Sequence, residues 1–407
     1  MNNCDVVWML LSSALVFFMI PGLALFYGGM VRSKNVLSTI MQSFTIIGLI
    51  TLQWIFVGYS LAFSHSYGSL IGGLEWFGLR GVGLEPHSVY APTVPHLAFM
   101  IFQCMFAIIT PALITGAFAE RMKFSSFLLF VLLWSTCVYA PIAHWVWNSD
   151  GWLFRLGNLD FAGGTVVHIS SGVSALVMAI LLGKRKEVGK PHNLTMTMLG
   201  TAMLWFGWFG FNAGSALTAG KLSVNAFVVT HIAAATAALT WLLIEWALKG
   251  KPTILGKASG AVAGLVAITP AAGFVSPMSA VCIGIGASFV CYWAIQLKNR
   301  LGFDDSLDVW GIHGMGGTWG ALATGIFAQK EIGGVNGLLF GNPHQLLIQG
   351  VGVATAWIFA ALGTFLIFKI LEAFMTMRVT TNQEEEGLDE SLHGEIGYIF
   401  HLRKGEA

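Results

Sequence analysis

Residues Val6 to Met30 read VVWMLLSSALVFFMIPGLALFYGGM, an apolar run without one Asp, Glu, Lys or Arg. About 20 such residues, wound as a helix, cross the hydrocarbon of a bilayer. A stretch of this length and purity is expected to span a membrane.

Working outward, ten further stretches are predominantly apolar, two of them with a single acid, Glu245 or Asp308: Leu37–Phe63, Leu97–Phe118, Ser125–Trp147, Gly164–Leu182, Thr195–Ala219, Asn225–Leu248, Ala258–Phe274, Met278–Leu297, Ser306–Ala328 and Gln345–Phe368. The expected fold is therefore an all-α integral membrane protein of eleven transmembrane helices. Composition agrees, since 56% of residues are hydrophobic and 10% charged, with a mean hydropathy of +0.73. Soluble domains of this size use a different mix. No basic flank and cleavage site precede the first stretch, so it is read as a retained helix.

Lysine and arginine mark orientation, because short cytoplasmic loops are enriched in them. One set of loops carries Arg32, Lys34, Arg121, Lys123, Lys184, Arg185, Lys186, Lys190, Lys249, Lys251, Lys257, Lys298 and Arg300; the opposite set has only Arg80, Arg155, Lys221 and Lys330. The N-terminus is expected outside and the C-terminus inside. With a net charge of +1 and basic residues scattered as topology markers, no nucleic-acid role is indicated. Cys4, Cys104, Cys137, Cys282 and Cys291 form no C-x-x-C pair, so no metal or redox cofactor is expected.

Glycines spaced as Gly200, Gly207, Gly210 and Gly214, and as Gly311, Gly314, Gly317 and Gly320, allow helices to approach closely. Five helices followed by five more imply two inverted repeats plus a long C-terminal helix. Short matches support this: Phe26-Tyr27-Gly28-Gly29 against Phe211-Asn212-Ala213-Gly214, and His168 with Gly172 against His313 with Gly317. Residues 1–375 read as the membrane domain. Residues 376–407 are a polar cytoplasmic tail that includes Glu384, Glu385 and Glu386.

Ionisable residues inside a span are costly and so are functional candidates. His168 and His313 lie near the starts of the fifth and tenth helices, where related halves would bring them to one axis. A lone buried histidine is more often a hydrogen-bonded core residue; the paired placement raises a pore role to an equal footing. Neutral imidazole offers one donor and one acceptor, so two of them can line an apolar pore without carrying charge. Two histidines are too few for a metal site. His65, His87, His96, His144, His231 and His344 sit near helix ends or loops, where a structural reading is preferred. Asp160 and Asp308 precede the two histidines by eight and five residues, and helix capping is the default for both.

Four runs carry a resemblance over nearly the whole chain: Asp160-Phe-Ala-Gly-Gly-Thr-Val-Val-His168, Gly116-Ala-Phe-Ala-Glu120-Arg121, Trp208-Phe-Gly-Phe-Asn-Ala-Gly-Ser215 and Asp308-Val-Trp-Gly-Ile-His313-Gly. They resemble the ammonium transporter family, the Amt/Mep/Rh proteins. The resemblance implies a homotrimer in a bacterial inner membrane, each subunit with its own pore. It implies a substrate site for ammonium at Trp147 and Ser215 with Phe102 beside it, a gate of two phenyl rings at Phe106 and Phe211, and pore histidines at His168 and His313. Ammonium would shed its proton and cross as ammonia. Gly387-Leu388-Asp389 and His393-Gly394-Glu395 resemble a regulatory tail that docks a PII-type signal protein.

Two other readings use the same residues: an electroneutral ammonia or gas channel of Rh type, and an ammonium sensor with low flux. An enzyme is the weakest reading, since no nucleophile and base, phosphate loop or metal set occurs among the intramembrane residues.

Overall fold

The computed structural model describes residues 1–398; the last nine positions of the expected tail, 399–407, lie outside the described residues. The chain forms a helical bundle whose principal helices we number α1 (Asn3–Met30), α2 (Ser33–Phe63), α3 (His96–Phe118), α4 (124–147), α5 (Gly164–Leu182), α6 (Leu194–Gly214), α7 (Lys221–Lys249), α8 (Ile254–Ile268), α9 (Pro277–Leu301), α10 (310–327) and α11 (Pro343–Phe374). Two short helices come after them, α12 (Thr381–Glu386) and α13 (Leu388–His393).

Among the described residues, nine helical segments are long and apolar enough to cross a membrane, and α8 and α10 fall outside that set. The expected helix Ala258–Phe274 is corrected to Ile254–Ile268, whose 15 residues give about 22 Å at 1.5 Å each. Beyond it Pro270 lacks an N–H to extend the ladder, and its carbonyl accepts the Phe161 N–H at 3.1 Å instead. The expected Thr195–Ala219 helix stops at Gly214. Ser215 begins a turn in which the Leu217 N–H reaches the Gly214 carbonyl at 2.9 Å.

The glycine spacing of α6 makes a groove for α1. A Cβ on Gly200 would stand 2.3 Å from the Phe26 nitrogen, and one on Gly207 would stand 2.3 Å from Met19 Cγ. Without side chains at these points the two helices meet at backbone distance, where dispersion and packing hold membrane helices together.

Two ends of the bundle differ in chemistry. At one end lie Arg32, Glu120, Arg185 and Asp304, joined by charged hydrogen bonds. Glu120 is buried and accepts from Arg32 Nε at 3.2 Å, Asn35 Nδ2 at 2.9 Å and an Arg185 guanidinium nitrogen at 2.9 Å. The tail folds against this same end. Glu384 accepts the Lys186 N–H at 2.6 Å and an Arg378 N–H at 2.7 Å, and Lys34 Nζ donates to the Glu385 carbonyl.

At the other end, residues 64–95 form two short antiparallel hairpins, Ser66–Tyr67 with Ile71–Gly72 and Pro86–His87 with Ala91–Pro95. They bring Tyr90 beside Phe63 and Phe99, with ring centroids 5.4 Å apart in both pairs.

Candidate functional site

His168 and His313 each lie in a π-helical turn, Gly164–Ile169 and Trp310–Gly314. A π-turn adds one residue to a helical turn and rotates the remainder of the helix, a feature frequent at functional sites. Gly163 makes the first possible: its φ of +118° is a region that side chains avoid, and its carbonyl then receives the His168 N–H at 3.0 Å. The two Nδ1 atoms meet at 3.2 Å, so one ring donates and the other accepts. Both rings are buried. The His168 ring stacks on Trp208 and Phe211 at centroid distances of 5.4 and 6.0 Å, and its Nε2 has no hydrogen-bond partner among the described residues. A Cβ on Gly317 would stand 3.0 Å from His168 Cβ, so the glycine four residues after one histidine seats the other.

Asp160 caps the first π-turn with both carboxylate oxygens. Oδ1 accepts from Gly163 N at 2.8 Å and Gly164 N at 2.6 Å, and Oδ2 from Thr165 N at 2.8 Å and Val166 N at 3.0 Å. Its own carbonyl accepts the Trp147 indole N–H at 3.0 Å, so the same loop fixes that ring.

The expected cap at Asp308 is corrected. Asp308 holds φ +60° and its carboxylate accepts from Lys298 Nζ at 2.5 Å. The cap of the second π-turn is Asp305, whose Oδ2 accepts the Trp310 N–H at 2.7 Å. Asp305 precedes His313 by the same eight residues that separate Asp160 from His168. Burial pushes its carboxyl up to about 6, against the pull of the Lys298 ammonium.

Phe106 and Phe211 lie against each other above the histidines, tilted by 36° with centroids 4.3 Å apart, and both are almost fully buried. Phe102 does not border the open space above them; it is fully buried, edge-on to Phe106 at 4.9 Å. Trp147 stands edge-on to Phe106 at 5.8 Å. The Ser215 hydroxyl donates to the Phe211 carbonyl at 2.8 Å, which leaves its oxygen only acceptor capacity.

Above the rings opens a chamber of about 210 Å³ lined in part by Trp147, Ser215 and Phe106, and below them a cavity of about 10 Å³ that reaches His168 and His313. The lower one holds roughly one water-sized molecule. Its other walls include Met19, Leu23, Ile109, Leu113 and Val262, so the histidines supply its polarity. The sequence reading missed Phe63, Tyr90, Phe99 and Gln103 in the upper chamber. Histidines assigned to structure behave so where they are bonded: His144 lies 2.9 Å from the Ala62 carbonyl, and His96 2.5 Å from the Tyr59 hydroxyl.

The model of the Ammonium Transporter Family matches residues 7–398. This chain belongs to the ammonium transporter family. It is 53% identical over 403 residues to an ammonium transporter of Bacillus subtilis, covering 98% of this chain and 99% of the relative. It is 48% identical over 402 residues to the ammonium transporter Amt1 of Archaeoglobus fulgidus, covering 98% of this chain and 100% of that one. The crystal structure of Mep2 from Saccharomyces cerevisiae superposes with a TM-score of 0.89 at 40% identity, over 94% of this chain and 88% of that chain. A structure titled Sensor Amt Protein superposes with a TM-score of 0.89 at 31% identity, over 96% and 98%.

As a member of the ammonium transporter family with many apolar spanning helices, the chain is a multi-pass cell membrane protein. Its relatives are named for transport rather than catalysis.

Proposed function

We propose that the protein carries ammonium across the membrane by taking it up in the chamber beside Trp147 and Ser215, removing a proton and passing ammonia between Phe106 and Phe211 and along His168 and His313. The observation that carries this reading is the 3.2 Å contact of the two imidazoles in an otherwise apolar cavity. A bare ammonium ion there would lose hydration worth several kcal/mol or more, whereas ammonia loses far less. Potassium matches ammonium in size and charge but has no proton to give up, so the same step rejects it.

In this proposal Trp147 attracts the cation with its ring face, Ser215 accepts a hydrogen bond from it, and Phe102 holds Phe106 in place. Asp160 and Asp308 keep structural and electrostatic parts, Asp160 as cap and source of negative potential, Asp308 as partner of Lys298. Eleven crossings in two inverted repeats put the chamber outside and residues 376–407 in the cytoplasm. Three such subunits form a homotrimer in a bacterial inner membrane, and the tail is the docking region for a PII-type protein.

The test is current from purified protein in liposomes on a solid-supported membrane, after ammonium and potassium pulses. An ammonium-specific current that His168→Ala and His313→Ala change supports transport in which the proton also crosses. Alkalinisation of the lumen without current moves the reading to a neutral channel of Rh type. Silence in both assays sinks transport. The likeness to the structure titled Sensor Amt Protein supports the second reading, in which binding is signalled through the tail.

A further inference from the structure

The chamber above the phenyl rings is far larger than the ion proposed to enter it. It offers about 210 Å³ and is open toward solvent, whereas the cavity below the rings, with room for about one water-sized particle, measures about 10 Å³. Its walls are aromatic: Phe63, Tyr90, Phe99, Phe106, Trp147 and Phe154 all line it. Tyr90 and Phe99 lie nearly parallel, 14° apart at 5.4 Å, and Phe63 stands edge-on to Phe99 at 5.1 Å.

The polar groups on the wall include the side chains of Gln103, Ser149 and Ser215 and the Tyr90 hydroxyl, all neutral, and among the described residues no Asp, Glu, Lys, Arg or His lines the chamber. The Ser215 proton is committed to the Phe211 carbonyl, so its oxygen can only accept. Ring faces carry negative potential and attract cations. A space of this volume with such walls suits a cation larger than ammonium and more weakly hydrated, because such an ion gives up less solvation on entering.

We propose that the chamber is a binding site for small organic ammonium cations of the tetramethylammonium class, which occupy it and block passage to the pore. A quaternary nitrogen has no proton to release, and Phe106 and Phe211, 4.3 Å apart, leave no passage for its methyl groups. The blocking half rests on the ammonium reading above; the binding half rests on the chamber alone.

The experiment titrates tetramethylammonium chloride into the full-length protein in nanodiscs by calorimetry, against sodium chloride and the neutral isostere tert-butanol. Ammonium current is recorded from the same preparations in liposomes. The expected result is saturable tetramethylammonium binding without tert-butanol binding, and competitive loss of ammonium current. Tyr90→Leu and Phe99→Leu should each weaken tetramethylammonium binding about fivefold, and wild-type affinity in both would remove the ring faces as the source of the site.

Absence of saturable heat from wild-type protein that conducts ammonium overturns the inference and leaves the transport reading standing. Equal binding of tert-butanol also overturns it, since the chamber would then select shape rather than charge. Saturable binding by protein that conducts no ammonium keeps the site and removes both the block and the transport reading. The isostere comparison uses wild-type protein, so it decides even where a ring variant fails to fold.

Discussion

Gly172 and Gly314 meet backbone to backbone where α5 crosses α10: a Cβ on Gly172 would stand 2.0 Å from the Gly314 nitrogen and 2.8 Å from the His313 carbonyl carbon. This crossing, with Gly317 seated on His168, sets how close the two π-turns come. The 3.2 Å separation of the imidazoles is thus a product of missing side chains as much as of the histidines.

Gly172→Ala should push the helices apart. The atom it would strike is backbone, which cannot swing aside, so the overpacking is expected to cost about 1–3 kcal/mol. Displacing the histidines should lower ammonium transport roughly tenfold or more. Thermal unfolding in detergent and liposome flux measure the two effects. Gly48→Ala is the control, since its Cβ meets nothing within 4 Å; wild-type flux in Gly172→Ala would refute the argument.

Asp160 satisfies four backbone N–H groups with two oxygens. Asn keeps one oxygen and so abandons part of the cap, while Ala abandons all of it. Each buried donor left unpaired costs about 1–3 kcal/mol. Stability should therefore fall in the order Asp, Asn, Ala, as read by melting temperature. Indole fluorescence should change in step, because Trp147 is bonded to the Asp160 carbonyl. Equal stability of the Asn and Ala variants would contradict a capping role.

Hydropathy marked nine long apolar helices among the described residues because that signal is local, and the histidine pair stood out by its matching place near the starts of the fifth and tenth expected helices. The sequence reading misplaced the second cap because Asp308 sits inside the recognised run, whereas Asp305 stands just outside it. The matching interval of eight residues from Asp160 to His168 and from Asp305 to His313 is itself a sequence signal, and it points to the correct cap. No comparable signal marks Tyr90, Phe99 and Phe63. They come from a hairpin and two helix ends, and their convergence depends on how residues 64–95 fold. The π-turns were equally hidden, since one extra residue per turn leaves apolar composition unchanged. Phe102 matched the family by type, yet its ring faces Phe106 instead of the chamber, a matter of helix rotation that residue type does not report.

Arg185 and Asp304 provide a pH signature. Burial raises the Asp304 carboxyl, but the hydrogen bonds and charge of Arg185 outweigh it and hold the group down at about 2. A carboxyl depressed on folding stabilises the folded state above its unfolded value, about 3.9, and loses that contribution as pH falls toward 2. Arg185→Gln should therefore lower the melting temperature by a constant amount from pH 7 to about 5, and the gap to wild type should close on further acidification. A gap that is unchanged at pH 3 would rule out this pair as its source.

Asp389 joins the tail to the first turn of α2. Its carboxylate accepts the Leu37 N–H at 3.0 Å and the Ser38 N–H at 2.8 Å, and the neighbouring Leu388 N–H reaches Asn35 Oδ1 at 2.8 Å. Asn35 in turn donates to Glu120 at 2.9 Å, so the tail is two hydrogen bonds from the buried carboxylate that gathers Arg32 and Arg185. Removing the Asp389 carboxylate leaves two helix-start donors to find water, at about 1 kcal/mol for a lost cap. Asp389→Ala should then raise hydrogen exchange at Leu37 and Ser38 about fivefold, the factor that 1 kcal/mol gives for a local opening. Limited proteolysis should cut more readily within residues 376–398. If exchange rises there while Glu120, Arg185 and the spans stay protected, the tail is an independently releasable element, which is the property a docking region for a regulatory protein requires. Unchanged exchange at Leu37 and Ser38 would mean that the Asp389 carboxylate does not hold the tail to the start of α2.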